Sequence, residues 1–365
     1  MFYYKFYNFL NIKVKVTAAY KGIKAMNRQS EKIEIKEKKP GIKDVAKVAG
    51  VSSTTVSRVL NNRGYISEET KQKVHQAMKK IGYYPNEIAR ALLNQRTYFI
   101  GVIVPSIINP FHGEVAQNIE YYLSKQNYKM LLCNSNNNAE TEKEYVEMLK
   151  RNQVDGMIVG THNNHSDIIK EYSNLSMPLV AIDRYLGDNV ITISCDNYKV
   201  GQLATEHLLE KGCRKILCIR GDSRLKMPGN DRSQAYRDIM RKLGLPSLIL
   251  EIPFVKPLQE KYKLIDDTLH TYTDLDGIFA GDDLLATITL QIAKERGIAV
   301  PERLKIIGVD GAKQTRIYLP ELTTIRQPIE EISKCAVKSM IDLIEDKKCE
   351  NRLALPVTLL EGKTT

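Results

Sequence analysis

"IKDVAKVAGVSSTTVSRVLNN", residues 42–62, is the stretch on which the reading of this chain turns. Within it, residues 51–60 hold five hydroxyl side chains and one arginine. Ser and Thr are mediocre helix formers because their hydroxyls compete for backbone groups. A helix that only has to pack has no use for so many. The spacing nevertheless predicts helices. Ile42, Val45, Ala46 and Ala49 share one stripe, and Gly50 stops that helix. Ser52 then caps a second helix that turns Val56, Val59 and Leu60 inward. Ser67 caps a third, with Glu68 and Glu69 at its positive end. Val74, Ala77, Met78 and Ile81 form its stripe and Gly82 ends it. Residues 41–85 therefore read as an all-α unit built on a helix, a glycine turn and a helix.

Such a pair can dock its second helix in the major groove, with the N-terminal residues at base edges. Short hydroxyls allow close approach and bond to phosphates or bases, and Arg58, one turn on, can reach a guanine in bidentate fashion. Residues 51–60 alone fit a capped, hydroxyl-rich surface helix as well. Charge favours DNA. The chain of 365 residues carries a net +11, and residues 1–96 hold 20 Lys/Arg against 7 Asp/Glu. Residues 97–365 hold 34 against 36. The excess positive charge lies entirely in the N-terminal quarter, as in a polyanion-binding head on a near-neutral body. Residues 1–40, with "SEKIEIKEKKPG" at their end, read as a poorly ordered basic extension.

From Thr97 onward the pattern changes. Apolar runs such as "FIGVIVP", "KMLLCNS", "GMIVGT", "PLVAID", "VITISCD", "KILCIRGD", "SLILEIPF", "GIFAGDD", "KIIGVDG" and "PVTLLEG" read as buried parallel strands. Amphipathic helices alternate with them, which makes the body α/β and doubly wound. About 270 residues exceed one comfortable core, so two lobes are expected. Ligands of such sheets bind beyond the carboxyl ends of the strands. Asp183, Arg184, Asp196, Asp222, Asp282, Asp283 and Asp310 stand at those ends.

Other classes fit poorly. No run of eighteen apolar residues spans a membrane, and the lysine-broken start has no secretory h-region, so a cytoplasmic protein is expected. Six cysteines form no C-x-x-C pair and read as reduced core thiols. Neither a G-x-S-x-G elbow nor a phosphate-binding G-x-x-x-x-G-K-[ST] loop is present, and His75, His112, His162, His165, His207 and His270 are scattered. Neither an enzyme nor a metal or cofactor site is expected.

"IKDVAKVAGVSSTTVSRVLNNRGYISEETKQKVHQAMKKIGYYPNEIARAL" resembles the head of the lactose-repressor (LacI/GalR) family of bacterial transcription regulators. "IGVIVPSIINPF", "QVDGMIV", "LVAIDR", "DNYKVGQLATEHLLEKG", "IFAGDDLLA", "IIGVDG" and "LTTIRQP" follow in family order, so the resemblance covers roughly residues 41–360. It implies that Ser53, Thr54 and Arg58 read bases, while Ser52, Thr55, Ser57 and Asn61 contact phosphates. It implies a hinge helix and linker over 86–96, with Leu92 as a minor-groove wedge. A homodimer on a palindromic operator follows, its surface expected near 110–125 and 140–152.

The resemblance extends to periplasmic sugar-binding proteins, with lobes at about 97–197 plus 326–353 and about 198–325 plus 354–365. Asn109, Phe111, Asp183, Arg184, Arg232, Asp282 and Asp310 are the implied effector residues, with Phe111 and Tyr236 to cover apolar sugar faces. Gly41 departs from the family's usual hydroxyl cap, with little consequence since glycine caps nearly as well. Asp282-Asp283 stands where most relatives have Asn-Asp. The extra carboxylate disfavours an anionic ligand and favours a neutral, hydroxyl-rich sugar, and Asp283 is expected to serve as a helix cap. "GDSRLKMPGNDRSQAY" most resembles sucrose-operon and then ribose-operon repressors, which implies a sucrose, fructose or ribose type of effector. Two alternatives stay open: control by a phosphocarrier protein, and a sugar-binding protein with no DNA role.

Overall fold

The computed structural model describes residues 40–61, 63–84, 96–163, 166–223, 227 and 229–365. The expected N-terminal extension up to residue 39, the hinge helix with Leu92, and His165 lie outside the described residues. The chain divides into two units, Met1–Arg90 and Ala91–Thr365.

Among the described residues of the first unit, three helices follow one another: α1 (Ile42–Ala49), α2 (Ser53–Leu60) and α3 (Glu68–Ile81). Gly41 precedes α1, and the Asp44 carboxylate supplies the missing cap by accepting from the Gly41 amide at 2.8 Å. Ser52 Oγ accepts from the Thr55 amide at 3.0 Å, and Ser67 Oγ from the Thr70 amide at 3.4 Å. Gly50, at φ 67°, closes α1 in the left-handed conformation that a side chain resists. Val45, Val56 and Val74, one from each helix, have no exposed surface and form the core with Ala46, Val59 and Ala77. Each valine contributes about 1.5–3 kcal/mol by leaving water. Ile42 does not join them. It stands at the first position of α1, off the end of this core, and is 37% exposed.

The second unit contains twelve described strands in two sheets. The first sheet comprises β1 (Phe99–Val104), β2 (Lys129–Asn134), β3 (Gly156–Val159), β4 (Leu179–Ile182), β5 (Ile191–Cys195) and β11 (Arg352–Leu355). The second comprises β6 (Ile216–Arg220), β7 (Leu248–Glu251), β8 (Gly277–Ala280), β9 (Lys305–Asp310), β10 (Thr323–Arg326) and β12 (Thr358–Leu360). Their orders are β2-β1-β3-β4-β5-β11 and β7-β6-β8-β9-β10-β12, the same winding used twice. Each order reverses beside its first strand, which opens a crevice at the carboxyl ends.

The described helices of this unit are α4 (Pro110–Lys125), α5 (Ala139–Arg151), α6 (Ser166–Ser173), α7 (Asn197–Glu210), α8 (Gly229–Lys242), α9 (Leu258–Thr271), α10 (Asp283–Glu295), α11 (Lys313–Tyr318) and α12 (Ile329–Ile344). Apolar clusters cover both faces of each sheet, for example Ile100, Val102 and Ile119 with Ile332 and Met340 of α12. The chain crosses between sheets after β5, after β10 and after β11.

Three expectations are corrected. β10 and β11 were not anticipated as strands, because "TTIR" and "RLAL" are short and interrupted by polar residues rather than continuously apolar. "PVTLLEG" was expected to be a buried parallel strand, whereas β12 is an exposed-to-half-buried edge that runs antiparallel to β10. The expected lobe boundary at 353/354 falls inside β11, all four residues of which pair with β5.

Candidate functional site: the recognition helix and the interlobe cavity

The five hydroxyls of residues 51–60 divide by environment. Ser53 and Thr54 are exposed at the start of α2, as is Arg58 one turn on, while Val56 and Val59 of the same helix are buried. Ser52 and Thr55 bond to each other, Oγ to Oγ1 at 2.8 Å, as part of the cap. Ser57 Oγ and its carbonyl both accept from Asn61 Nδ2, at 3.4 and 2.9 Å, so Asn61 closes the helix C-terminus. The helix thus presents two short hydroxyls and one guanidinium outward on a backbone fixed at both ends. A capped N-terminus is also the positive end of the helix dipole, suited to phosphate.

In the body, a cavity lies between the two sheets where the strands end. It encloses about 900 Å³ free of atoms, part of it open solvent. Asn109 enters from the loop after β1 and Phe111 from the first turn of α4, Thr161 and His162 from the loop after β3, and Asp183 from that after β4. Arg220, Asp282 and Asp310 come from the ends of β6, β8 and β9, and Arg232 from the first turn of α8. Asn109 Oδ1 caps α4 by accepting from the Phe111 amide at 2.9 Å.

Arg232 organises the polar wall. Its Nε donates to Asn197 Oδ1 at 2.6 Å and its Nη1 to the Gly281 carbonyl at 2.8 Å, while Nη2 stands 3.8 Å from Asp183 Oδ2 on the other lobe. Gly201 permits this placement, since a Cβ there would collide with the Arg232 carbonyl. Asp183 and Asp310 sit at positive φ, 53° and 121°; the first is the left-handed region that aspartate tolerates better than most residues, the second a sparsely populated conformation that its surroundings must impose. Burial pushes both carboxyls, and that of Asp282, above the usual aspartate range. Asp310 accepts from Gln327 Nε2 at 2.8 Å. Carboxylates accept hydroxyl pairs and guanidinium donates, so the wall suits a ligand with alternating donors and acceptors.

The opposite wall is aromatic. Phe111 and His112 meet edge to face at 5.2 Å, His112 and His162 at 5.3 Å, and His162 stacks on Phe254 at 4.0 Å across the lobes. Burial pushes His112 down to about 4 and His162 well below its ordinary range, so both rings are neutral near pH 7. The histidines taken as scattered are therefore partly gathered: His112 and His162 are far apart in the chain and become neighbours in space once β1 and β3 pair.

Three expected residues fall elsewhere. Arg184 has no exposed surface and does not line the cavity: its guanidinium donates to the Asn163 carbonyl at 3.0 Å behind the wall. Tyr236 is likewise buried, its hydroxyl held by the Ile216 and Leu248 carbonyls at 2.7 and 3.2 Å, so it packs α8 onto β6 rather than covering a ligand. Asp282, not Asp283, caps α10 by accepting from the Leu285 amide at 2.8 Å. Asp283 turns inward to the Gly311 amide at 2.9 Å and the Thr324 hydroxyl at 2.6 Å. Sequence reasoning missed Arg220, whose position at the end of "KILCIR" was the available signal. It also missed Thr161, Phe254 and Gln327, which carry no pattern of their own. Among the described residues no group of three His, Cys, Asp or Glu could hold a metal ion, and no helix is long and apolar enough to cross a membrane.

A helix-turn-helix unit joined in one chain to a two-lobed α/β body with a polar cavity defines a DNA-binding transcription regulator with a ligand-binding domain. Residues 41–86 match the model of bacterial regulatory proteins of the lacI family. Residues 97–362 match that of periplasmic binding proteins and the sugar binding domain of the LacI family. The chain belongs to the LacI family of bacterial transcription regulators, which is not an enzyme family. The sucrose operon repressor of Pediococcus pentosaceus is 43% identical over 329 residues, covering 89% of this chain and 99% of that protein. A family regulator from Alkaliphilus metalliredigens, solved in complex with D-xylulofuranose, is 34% identical with a TM-score of 0.66, over 73% of this chain and 99% of its own. The lac repressor dimer bound to operator shares the fold, with a TM-score of 0.78 at 23% identity over 90% of this chain and 99% of its own.

Proposed function

We propose that this chain is a cytoplasmic, homodimeric repressor of a carbohydrate-utilisation operon, released from a palindromic operator by a neutral sugar of the sucrose, fructose or ribose type. Ser53, Thr54 and Arg58 read bases, with Ser52, Thr55, Ser57 and Asn61 at phosphates. Asn109, Phe111, Asp183, Arg232, Asp282 and Asp310 hold the sugar. The observation that carries this reading is the cavity wall itself. A buried arginine fork faces carboxylates from both lobes, opposite an uncharged aromatic wall. Hydroxyl pairs match the first wall and an apolar sugar face matches the second. The name of the Pediococcus relative and the ketose bound by the Alkaliphilus regulator support a sugar of this kind.

Exposed apolar side chains favour a second copy. Tyr121 and Met148, on the two helices expected to form the dimer surface, are 52% and 38% exposed, and Ile317 and Tyr318 of α11 are 72% and 79%. A sugar that binds the lobes differently in two arrangements moves operator affinity by its differential affinity, about 1–3 kcal/mol. Calorimetry with sucrose, D-fructose and D-ribose, beside gel shifts on a palindromic operator, tests this. One sugar should bind and should weaken the operator complex. Operator binding that ignores every sugar bound in the cavity would sink the effector assignment.

A further inference from the structure

Behind the cavity wall lie two buried charged side chains that do not themselves line the cavity. Glu142, in the first turn of α5, is 1% exposed, and Arg184 has no exposed surface. The Glu142 carboxylate accepts from the Thr161 hydroxyl at 2.9 Å and from the Tyr172 hydroxyl of α6 at 2.8 Å. Burial pushes this carboxyl up; the two hydroxyls and the Arg184 charge oppose that and favour the ionised form. Arg184 in turn donates to the Asn163 carbonyl, and the Asn163 amide donates to the Thr161 hydroxyl at 3.0 Å.

Two cavity residues are carried by these anchors. His162 lies between Thr161 and Asn163, with its ring on Phe254 across the cleft. Asp183 immediately precedes Arg184 and faces Arg232. One carboxylate therefore ties α5, α6 and the loops after β3 and β4 together. Both Glu142 oxygens accept from buried hydroxyls, so replacing one by a donating amide breaks one of these bonds, and the loops after β3 and β4 shift as the freed hydroxyl seeks another acceptor. The movement takes Asp183 and His162 with it.

We propose that Glu142 is a positioning residue of the effector cavity: with Arg184 it sets where His162 and Asp183 meet the ligand, and so which sugars the cavity accepts. The proposal rests on the reading of this cavity as the effector site. Its test uses the full chain labelled at histidine. Glu142→Gln keeps the size and removes the charge. The His162 ring resonance, displaced by the Phe254 ring current in the native chain, should move toward its unstacked value. Affinity for whichever of sucrose, D-fructose or D-ribose the native chain binds should fall about tenfold.

Val146→Ala, in the buried core on the same helix, provides the comparison. It should lower the melting temperature while leaving the resonance and the sugar affinity in place. An unmoved His162 resonance in Glu142→Gln overturns the proposal, as does an equal displacement in Val146→Ala. If the native chain binds none of the three sugars, the effector reading fails, and the resonance still decides the role of Glu142. If Glu142→Gln does not fold, Tyr172→Phe should displace the resonance in the same direction by less, and a fixed resonance there overturns the proposal.

Discussion

Asp282 and Asp283 are adjacent and chemically identical, yet the helix start turns one toward the cavity and the other into the protein. Asp282 spends one oxygen on the α10 cap and keeps its place in the cavity wall. Asp283, 3% exposed, is pushed up to about 7, first by burial, against the bonds from Thr324 and Gly311. In the unfolded chain it titrates in the ordinary aspartate range. Between the two values the folded state holds the extra proton, so this contribution to stability is complete at low pH and is lost as pH rises to about 7. The buried neutral His112 and His162 contribute the opposite slope in this window, so the test is the difference. In thermal melts from about pH 5 to about pH 7, Asp283→Asn should gain in melting temperature relative to the native chain as pH rises, and an identical slope in the two would mean that Asp283 does not contribute. At the other site, Arg58→Ala should cost about 1–3 kcal/mol of operator affinity and relax preference at one base pair. Equal weakening on all sequences, read by binding to an operator library, would assign Arg58 to phosphate alone. The exposure of Ser53, Thr54 and Arg58 was legible from the helical period. The inward turn of Arg184 was not, because a strand-end position does not say which side of the loop a long side chain takes.

At the scale of elements, α2 and α8 show how a helix fixes its functional residues. In α2 the signals were local: Ser52 at the cap, Val56 and Val59 at core spacing, Gly50 before it. Each acts within one or two turns, so the sequence carried them. α8 depends on a distant neighbour. Arg232 reaches Asp183 only because Gly201 of α7 lets the two helix backbones come together. Gly201→Ala should force them apart at a cost of about 1–3 kcal/mol. A lower melting temperature with weakened sugar affinity is the expected result, read by calorimetry. Undiminished sugar affinity would show that Arg232 tolerates the shift. Nothing in "DNYKVGQLATEHLLEKG" announces that its glycine faces α8, since a helical glycine has several uses.

For the whole molecule, the charge division predicts two different salt responses. Operator affinity, which draws on a head rich in Lys and Arg, should fall about 10³-fold or more between about 50 and about 200 mM salt. Affinity for a neutral sugar should barely change, as the cavity exchanges hydrogen bonds and apolar contacts rather than counterions. A sugar affinity that fell in step with operator affinity would point to a charged effector. The all-α head, the α/β alternation and the charge division follow from periodicity and composition, which are properties of neighbouring residues and need no knowledge of what lies across the fold. Tertiary structure alone decided the rest. Parallel pairing of β1 with β3 brings His112 beside His162, and the approach of the two lobes lays His162 on Phe254. Burial turned Arg184 from an expected ligand contact into a donor to the Asn163 carbonyl, twenty-one positions away. Contacts of that separation are set by sheet order and backbone approach, and no local pattern encodes them.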